Sequence, residues 1–310
     1  MSEDLSDVVR NGFDTYRHNL KISIPFLLYL LLVISAMLVP IAILLHDGGF
    51  ESEELMPLWF LVFLLAILLV SIFWAGTVGM AKEATLGGKT SLSTMHTEGK
   101  KHYLGVLLAE MGLFVIFMIG AFTILIPLAA MGEAAGSLVV FLFFILLFLF
   151  ILFAVALGYV VPVSIVVDDL GAGGGIKRGF RFISSNKRDV ILILVLFLVA
   201  SIAIDLAAFT LVLGKSAITG FDDVDFLELV EDFNRLSILT NFVQVVVLYP
   251  LFIVLWTRLY MSRTGRLGEE ETETALEEII PEQKEDRNGD QCVGQSEDQA
   301  AVQNEAQKET

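Results

Sequence analysis

Phe141-Leu-Phe-Phe-Ile-Leu-Leu-Phe-Leu-Phe150 has no polar side chain, and the run around it, residues 138–167, has no charged one. At about 1.5 Å per residue, a helix of that length exceeds the roughly 30 Å hydrocarbon core of a bilayer. Backbone in hydrocarbon must satisfy its own hydrogen bonds, and a barrel strand would alternate apolar with polar residues. The stretch therefore reads as a membrane-spanning α-helix. Residues 22–45, 57–81, 103–131, 190–213 and 237–261 read the same way. The predicted fold is an all-α integral membrane protein, a six-transmembrane-helix bundle.

Composition agrees. Over 310 residues, 55% are hydrophobic and 18% charged, with a mean hydropathy of +0.74, too apolar for a water-soluble globule. An acidic and polar stretch precedes the first run, which is too long for the core of a cleavable signal peptide, so that span is expected to be retained. The single cysteine, Cys292, excludes an internal disulfide framework and a cysteine-rich metal site. The formal charge of −16 is unevenly spread: from Glu269 onward 14 acidic and 3 basic residues give −11, leaving −5 for the rest. The expected organisation is an amphipathic helix at 1–21, a six-span domain at 22–265, and an acidic, disordered tail at 266–310.

Positive residues resist translocation and so fix orientation. Arg10, Arg17 and Lys21 precede the first span; Lys82, Lys89, Lys100 and Lys101 occupy the second connection; Lys177, Arg178, Arg181, Lys187 and Arg188 occupy the fourth; Arg258, Arg263 and Arg266 close the last. Only Lys215 and Arg235 fall on the opposite side. Both termini are expected to be cytoplasmic, in a cell membrane. The outward first and fifth connections are acidic, the fifth with Asp222, Asp223, Asp225, Glu228, Glu231 and Asp232. A solvated outer face accounts for them, and a cation-attracting vestibule is the sharper alternative.

Leu5, Val8, Val9, Gly12, Phe13, Tyr16 and Leu20 trace one stripe of a helix that would lie on the cytoplasmic interface. At an offset of 167 the arrangement returns: Gly179 and Phe180 match Gly12 and Phe13, Asn186 matches Asn19, and Arg188 matches Lys21. A third, looser copy runs through Leu92, Met95, His96, Gly99 and Tyr103. The spacing predicts three units, each a short amphipathic helix followed by two spans.

Asp168-Asp169-Leu-Gly171, Ile176-Lys-Arg-Gly-Phe-Arg-Phe-Ile183, Asn186-Lys-Arg188, Phe73-Trp-Ala-Gly-Thr77 and Ala81-Lys-Glu-Ala-Thr-Leu-Gly87 carry a family likeness. The chain resembles the uncharacterised six-span families of archaea and bacteria related to the membrane domain of glycerophosphodiester phosphodiesterases. The resemblance implies a fold and a membrane location. The soluble phosphodiesterase barrel of the namesake enzymes is absent, so their activity is not implied.

Catalytic motifs are missing. Gly88-Lys89-Thr90 ends like a phosphate-binding loop, but Glu83 stands where that loop needs glycine. Gly171-Ala-Gly-Gly-Gly175 follows a span instead of a strand and reads as a hinge. Asp286, Asn288, Asp290 and Glu297 have calcium-loop spacing, but Gln291 occupies the glycine position. His18, His96 and His102 lie at membrane edges, and no metal site, cofactor or nucleic-acid partner is expected. Ionisable residues within spans carry the functional weight. Glu110 sits about two turns into span three; Asp205 sits deep in span five, at the level of Asn241 and Gln244 in span six.

Three functions follow. The leading one is a non-enzymatic membrane protein in membrane organisation or membrane-protein assembly, whose Arg10, Arg17, Lys21, Lys100, Lys101, Lys177, Arg178, Arg181, Lys187 and Arg188 engage anionic lipid headgroups. The rival is a small-solute or ion transporter that relays charge through Asp205 and Glu110. A membrane-embedded lipid enzyme comes third.

Overall fold

The computed structural model describes residues 3–47, 56–131, 136–219 and 236–267. The acidic connections and tail, with Cys292 and the calcium-like spacing, lie outside these residues. Among them, eight helices follow one another: α1 (Leu5–His18), α2 (Ile24–Asp47), α3 (Met56–Gly87), α4 (Leu92–Met131), α5 (Ser137–Val167), α6 (Ala172–Ser185), α7 (Lys187–Thr219) and α8 (Leu236–Thr264). Six of them are long and apolar enough to cross a membrane. These match the six apolar runs. The two short helices, α1 and α6, lie at one end, here called the basic end.

Local chemistry sets the boundaries. The Asp4 side chain accepts from the Leu5 amide and starts α1, with Asp7 in the first turn and Arg17 and His18 in the last, as the helix dipole favours. Gly88, at φ +71, lets the chain turn away after α3, and Gly265, at φ +82, does so after α8. Asp169 adopts φ +53 in the turn between α5 and α6.

Helices α1 and α6 are both 14 residues long, and their first and last residues are each 167 positions apart. Each ends at an asparagine whose Nδ2 donates to the carbonyl four residues back, Asn19 to Thr15 (3.0 Å) and Asn186 to Phe182 (2.9 Å). The second connection differs. A separate amphipathic helix was expected there, but Leu92 to Met131 forms one continuous α4. No asparagine or proline interrupts the passage from Lys101 into Tyr103, so the helix runs on.

Each basic-end segment is pressed against a long helix through a glycine. A Cβ on Gly12 would meet the Leu255 side chain of α8 at 2.6 Å; one on Gly99 would meet the Ile72 carbonyl of α3 at 3.0 Å; one on Gly179 would meet Val161 of α5 at 2.7 Å. Gly76 answers Gly99 from α3, where a Cβ would stand 2.7 Å from the Met95 carbonyl. Between apolar helices, close approach of small residues gains dispersion and is the main source of helix association in lipid.

The core is therefore one-sided. Ala75, Val78, Met80 and Ala81 of α3, Val106 and Ala109 of α4, Leu157 to Val167 of α5, and Phe252 to Met261 of α8 are almost all buried. Phe60 and Phe63 of α3, Phe114 of α4, Phe141 and Phe144 of α5 and Leu206 of α7 are exposed in the other half. Where the halves meet, five aromatic rings close a circuit: Phe26 to Trp74 (5.7 Å between centroids), Tyr159 (5.3 Å), Phe197 (6.0 Å), Tyr249 (6.0 Å) and back to Phe26 (6.4 Å). The circuit draws on α2, α3, α5, α7 and α8, and each such pair contributes about 0.5–1.5 kcal/mol beyond its buried area.

Candidate functional site

At the basic end the cations fall into two groups. One group is spent on holding helices together. Arg258 of α8 grips both carboxylate oxygens of Glu3, and Asn11 Nδ2 donates to the same carboxylate at 3.1 Å. Arg263 reaches Asp189 of α7 at 2.7 Å and the Glu3 carbonyl at 2.8 Å. Partial burial opposes ionisation of Glu3, but the Arg258 guanidinium, with Asn11 and Arg263, outweighs it and holds the carboxyl below its usual range. On the other side, Arg178 of α6 donates to the Tyr260 hydroxyl at 3.2 Å, and that hydroxyl donates to Asp168 at 2.5 Å. Lys101 pairs with Asp169 at 2.8 Å, and its ammonium lowers the Asp169 carboxyl below the ordinary range.

The second group is free. Arg10, Arg17, Lys21, Lys100, Lys177, Arg181, Lys187 and Arg188 are exposed and form no ion pair among the described residues. Of the ten cations expected to meet headgroups, only Lys101 and Arg178 are committed to carboxylates among the described residues. The stripe on α1 also needs correction. Its buried edge is Val8, Gly12 and Tyr16, whereas Phe13 (54% exposed) and Leu20 (62% exposed) point away from the protein. On α1, Phe13 shares one outward strip with Arg10 and Arg17, roughly 60° wide at about 100° per residue, and Leu20 and Lys21 stand exposed in the short 3-10 turn that follows Asn19. Leu255 of α8 packs over Gly12, so α8 covers the Val8, Gly12 and Tyr16 edge of the stripe and Phe13 falls outside the covered edge.

Beside α6, Leu152, Phe153, Ala156, Ile183, Val190 and Leu194 line an apolar groove of about 400 Å³, which Lys187 borders. His18 Nδ1 lies 2.7 Å from the Asp14 carbonyl on its own helix, whereas His102 Nε2 lies 3.2 Å from a Glu98 carboxylate oxygen and forms no hydrogen bond among the described residues.

The intramembrane candidates separate. Glu110 of α4 accepts from the Ser71 hydroxyl of α3 at 2.6 Å. Asp205 of α7 accepts from Gln244 Nε2 of α8 at 3.0 Å, and both line a recess of about 300 Å³ with Asn241, Thr240 and Ser237. The two acids thus belong to different helix pairs, while the common depth of Asp205, Asn241 and Gln244 does bring those three together. A π turn at Gln244–Leu248 in α8 begins at the recess, a deviation often found at functional positions.

Residues 9–261 match the family described as "Domain of unknown function (DUF7847)". The chain belongs to this family. An uncharacterized protein of Archaeoglobus fulgidus is similar to this DUF7847 chain, 31% identical over 254 residues, covering 67% of this chain and 83% of the relative. No solved structure matches.

Sequence reading missed the locking residues Glu3, Asp168, Asp189, Arg258, Arg263 and Tyr260. The signal was present: each stands within a few positions of a span end or the chain start, where opposite charges on neighbouring helices meet.

Proposed function

We propose that this DUF7847 protein is a multi-pass membrane protein, both termini cytoplasmic, that binds anionic lipid headgroups and serves membrane organisation or membrane-protein assembly without catalysis of its own. The observation that carries this reading is the division of the cations. Those needed for tertiary structure are paired, whereas eight remain exposed, and two of them, Arg10 and Arg17, share a strip of α1 with outward Phe13, followed by exposed Leu20 and Lys21. Such a strip suits the boundary between headgroups and acyl chains, where apolar side chains sink and each basic one contributes about 1 kcal/mol toward an anionic surface. The apolar groove bordered by Lys187 has the matching form for one acyl chain beneath a phosphate.

The three-unit arrangement supports this reading. In our proposal each unit's leading segment, α1, the start of α4, or α6, packs on the second long helix of the preceding unit, with α1 closing the ring on α8. Basic residues from three units then surround one face. The likeness to the glycerophosphodiester phosphodiesterase membrane domain extends in this proposal to the fold alone. A relay between Asp205 and Glu110, the basis of the transporter alternative, would have to cross between separate helix pairs.

Reconstitution of the full chain into nanodiscs containing phosphatidylcholine and phosphatidylglycerol, followed by quantification of retained lipid, tests the reading. Phosphatidylglycerol should be enriched around the wild type, and Arg10→Gln combined with Arg17→Gln and Lys21→Gln should lower that enrichment. Lys101→Gln should leave it unchanged. Enrichment indifferent to the triple substitution would overturn the proposal.

A further inference from the structure

We infer that the recess between α7 and α8 is a binding site for a primary ammonium group, the protonated end of a small amine or of an aminolipid headgroup. The inference is independent of the lipid reading of the basic face, which lies at the other end of these helices.

The argument begins with an imbalance of hydrogen-bonding groups. Asp205 is the single charged residue between Val190 and Gly214, so its carboxylate stands on an otherwise apolar stretch of helix and needs a partner. Gln244 supplies one donor, Nε2 to Asp205 Oδ1. Two neighbouring donors are turned elsewhere: Asn241 Nδ2 gives its hydrogen bond to the Ser237 carbonyl at 2.8 Å, and the Thr240 hydroxyl gives its own to the same carbonyl at 3.0 Å. Open acceptors in the recess include the second Asp205 oxygen, Asn241 Oδ1 and Gln244 Oε1. None receives a hydrogen bond among the described residues. Excess acceptors around one negative charge reject anions and select a ligand that donates.

Charge and size narrow the class. One carboxylate neutralises one positive charge, so a divalent cation would leave a residual charge that is costly at low dielectric. A recess of about 300 Å³ lies at the small end of organic-ligand sites and is far larger than a bare ion requires. A primary ammonium has three N–H donors in a compact cone and can engage several of these acceptors at once. Ala208 and Leu236 complete the wall and suit the short alkyl part that carries the amine.

The test uses the full chain in phosphatidylcholine nanodiscs with n-butylamine as the probe. Binding is read by ligand-observed NMR and by the shift in melting temperature, at fixed ionic strength, against n-butanol and sodium chloride. Wild type should bind butylamine and neither control. Asp205→Asn should weaken binding by roughly tenfold or more, the expected loss of a charge-assisted hydrogen bond. Asn241→Leu, which keeps the carboxylate, should weaken it by a smaller factor and serves if the first variant does not fold. In discs with phosphatidylethanolamine, displacement of butylamine identifies the headgroup amine as the occupant; butylamine binding undiminished there identifies a free amine. Either result supports the ammonium site. Absence of butylamine binding to the wild type, competition by sodium at equal concentration, or equal binding by both variants would overturn it.

Discussion

The two halves of helix α5 obey different rules. From Leu157 to Val167 almost every side chain is buried against α3, α6 or α8, whereas Phe141, Leu142, Phe144, Leu146 and Leu149 are exposed along the same helix. Both halves are strongly apolar, so hydrophobicity does not distinguish them. The difference lies in the partners. The buried half faces glycines that let backbones approach, such as Gly175 and Gly179 on α6; the exposed half is thick with Phe and Leu, and its close approach is at its inner edge, where Gly120 of α4 meets the Phe150 ring. In an apolar solvent no hydrophobic force favours one arrangement, and complementarity of shape decides which helices touch. The packed half is a scaffold, and the open half, on the membrane reading proposed above, is where lipid or a small ligand would stand in for a neighbouring helix.

Two substitutions in α5 test this contrast most severely. Tyr159→Ala removes a ring that meets Trp74, Phe197 and Trp256 and should cost about 3–5 kcal/mol, whereas Phe144→Ala in the open half should change stability by less than about 0.5 kcal/mol. Thermal unfolding in detergent measures both; comparable losses would dissolve the distinction. Gly76→Val comes next. The added methyls run into the Met95 carbonyl, a backbone atom that cannot rotate away, for an expected loss of about 3 kcal/mol. Equal tolerance of valine at Gly76 and at Gly158, which has open space around it, would refute the close-packed interface.

The polar lock at the basic end predicts a pH effect with a definite sign. The Glu3 carboxyl titrates below its usual range when folded, so the stability that the Arg258 pair contributes is complete above the ordinary carboxylate pKa and disappears as pH falls through the lowered value. Wild type should melt above Glu3→Gln at neutral pH, by about 1–2 kcal/mol, and the two melting curves should converge in acid. A gap that persists in acid would assign the effect to packing.

Much of this arrangement was legible in the chain. The six apolar runs match the six long helices because twenty or so consecutive apolar residues have few alternatives to a helix, and α1 was readable from its stripe. Other features were not. Phe13 fits the apolar stripe by spacing, yet it points outward, because periodicity locates a face and cannot say which edge of it another helix will cover. The continuity of α4 depends on the absence of a stop between Lys101 and Tyr103, and an absence gives no positive signal. Asp205 and Gln244 were matched by depth alone; Glu110 had no visible partner, since Ser71 is a single hydroxyl in an apolar helix.

The smallest effect sharpens the likeness between the two short helices. Gly12→Ala and Gly179→Ala each place a methyl against a mobile side-chain terminus, Leu255 Cδ2 at 2.6 Å and Val161 Cγ2 at 2.7 Å. Overpacking relieved by such groups costs about 1 kcal/mol. Both variants should therefore lose similar stability, since the two glycines stand at the same position of helices with the same length and the same asparagine stop. The surroundings differ in one respect. Asn19 also bridges to the connection between α3 and α4, donating to the Gly88 carbonyl at 3.0 Å and accepting from the Thr90 amide at 3.1 Å, whereas the Asn186 side chain donates to its own helix. Asn19→Ala should thus cost more than Asn186→Ala, by about 1 kcal/mol for the additional bonds. Equal losses at the two asparagines together with unequal losses at the two glycines would reverse the assignment, making the helices alike in their ends and unlike in their packing.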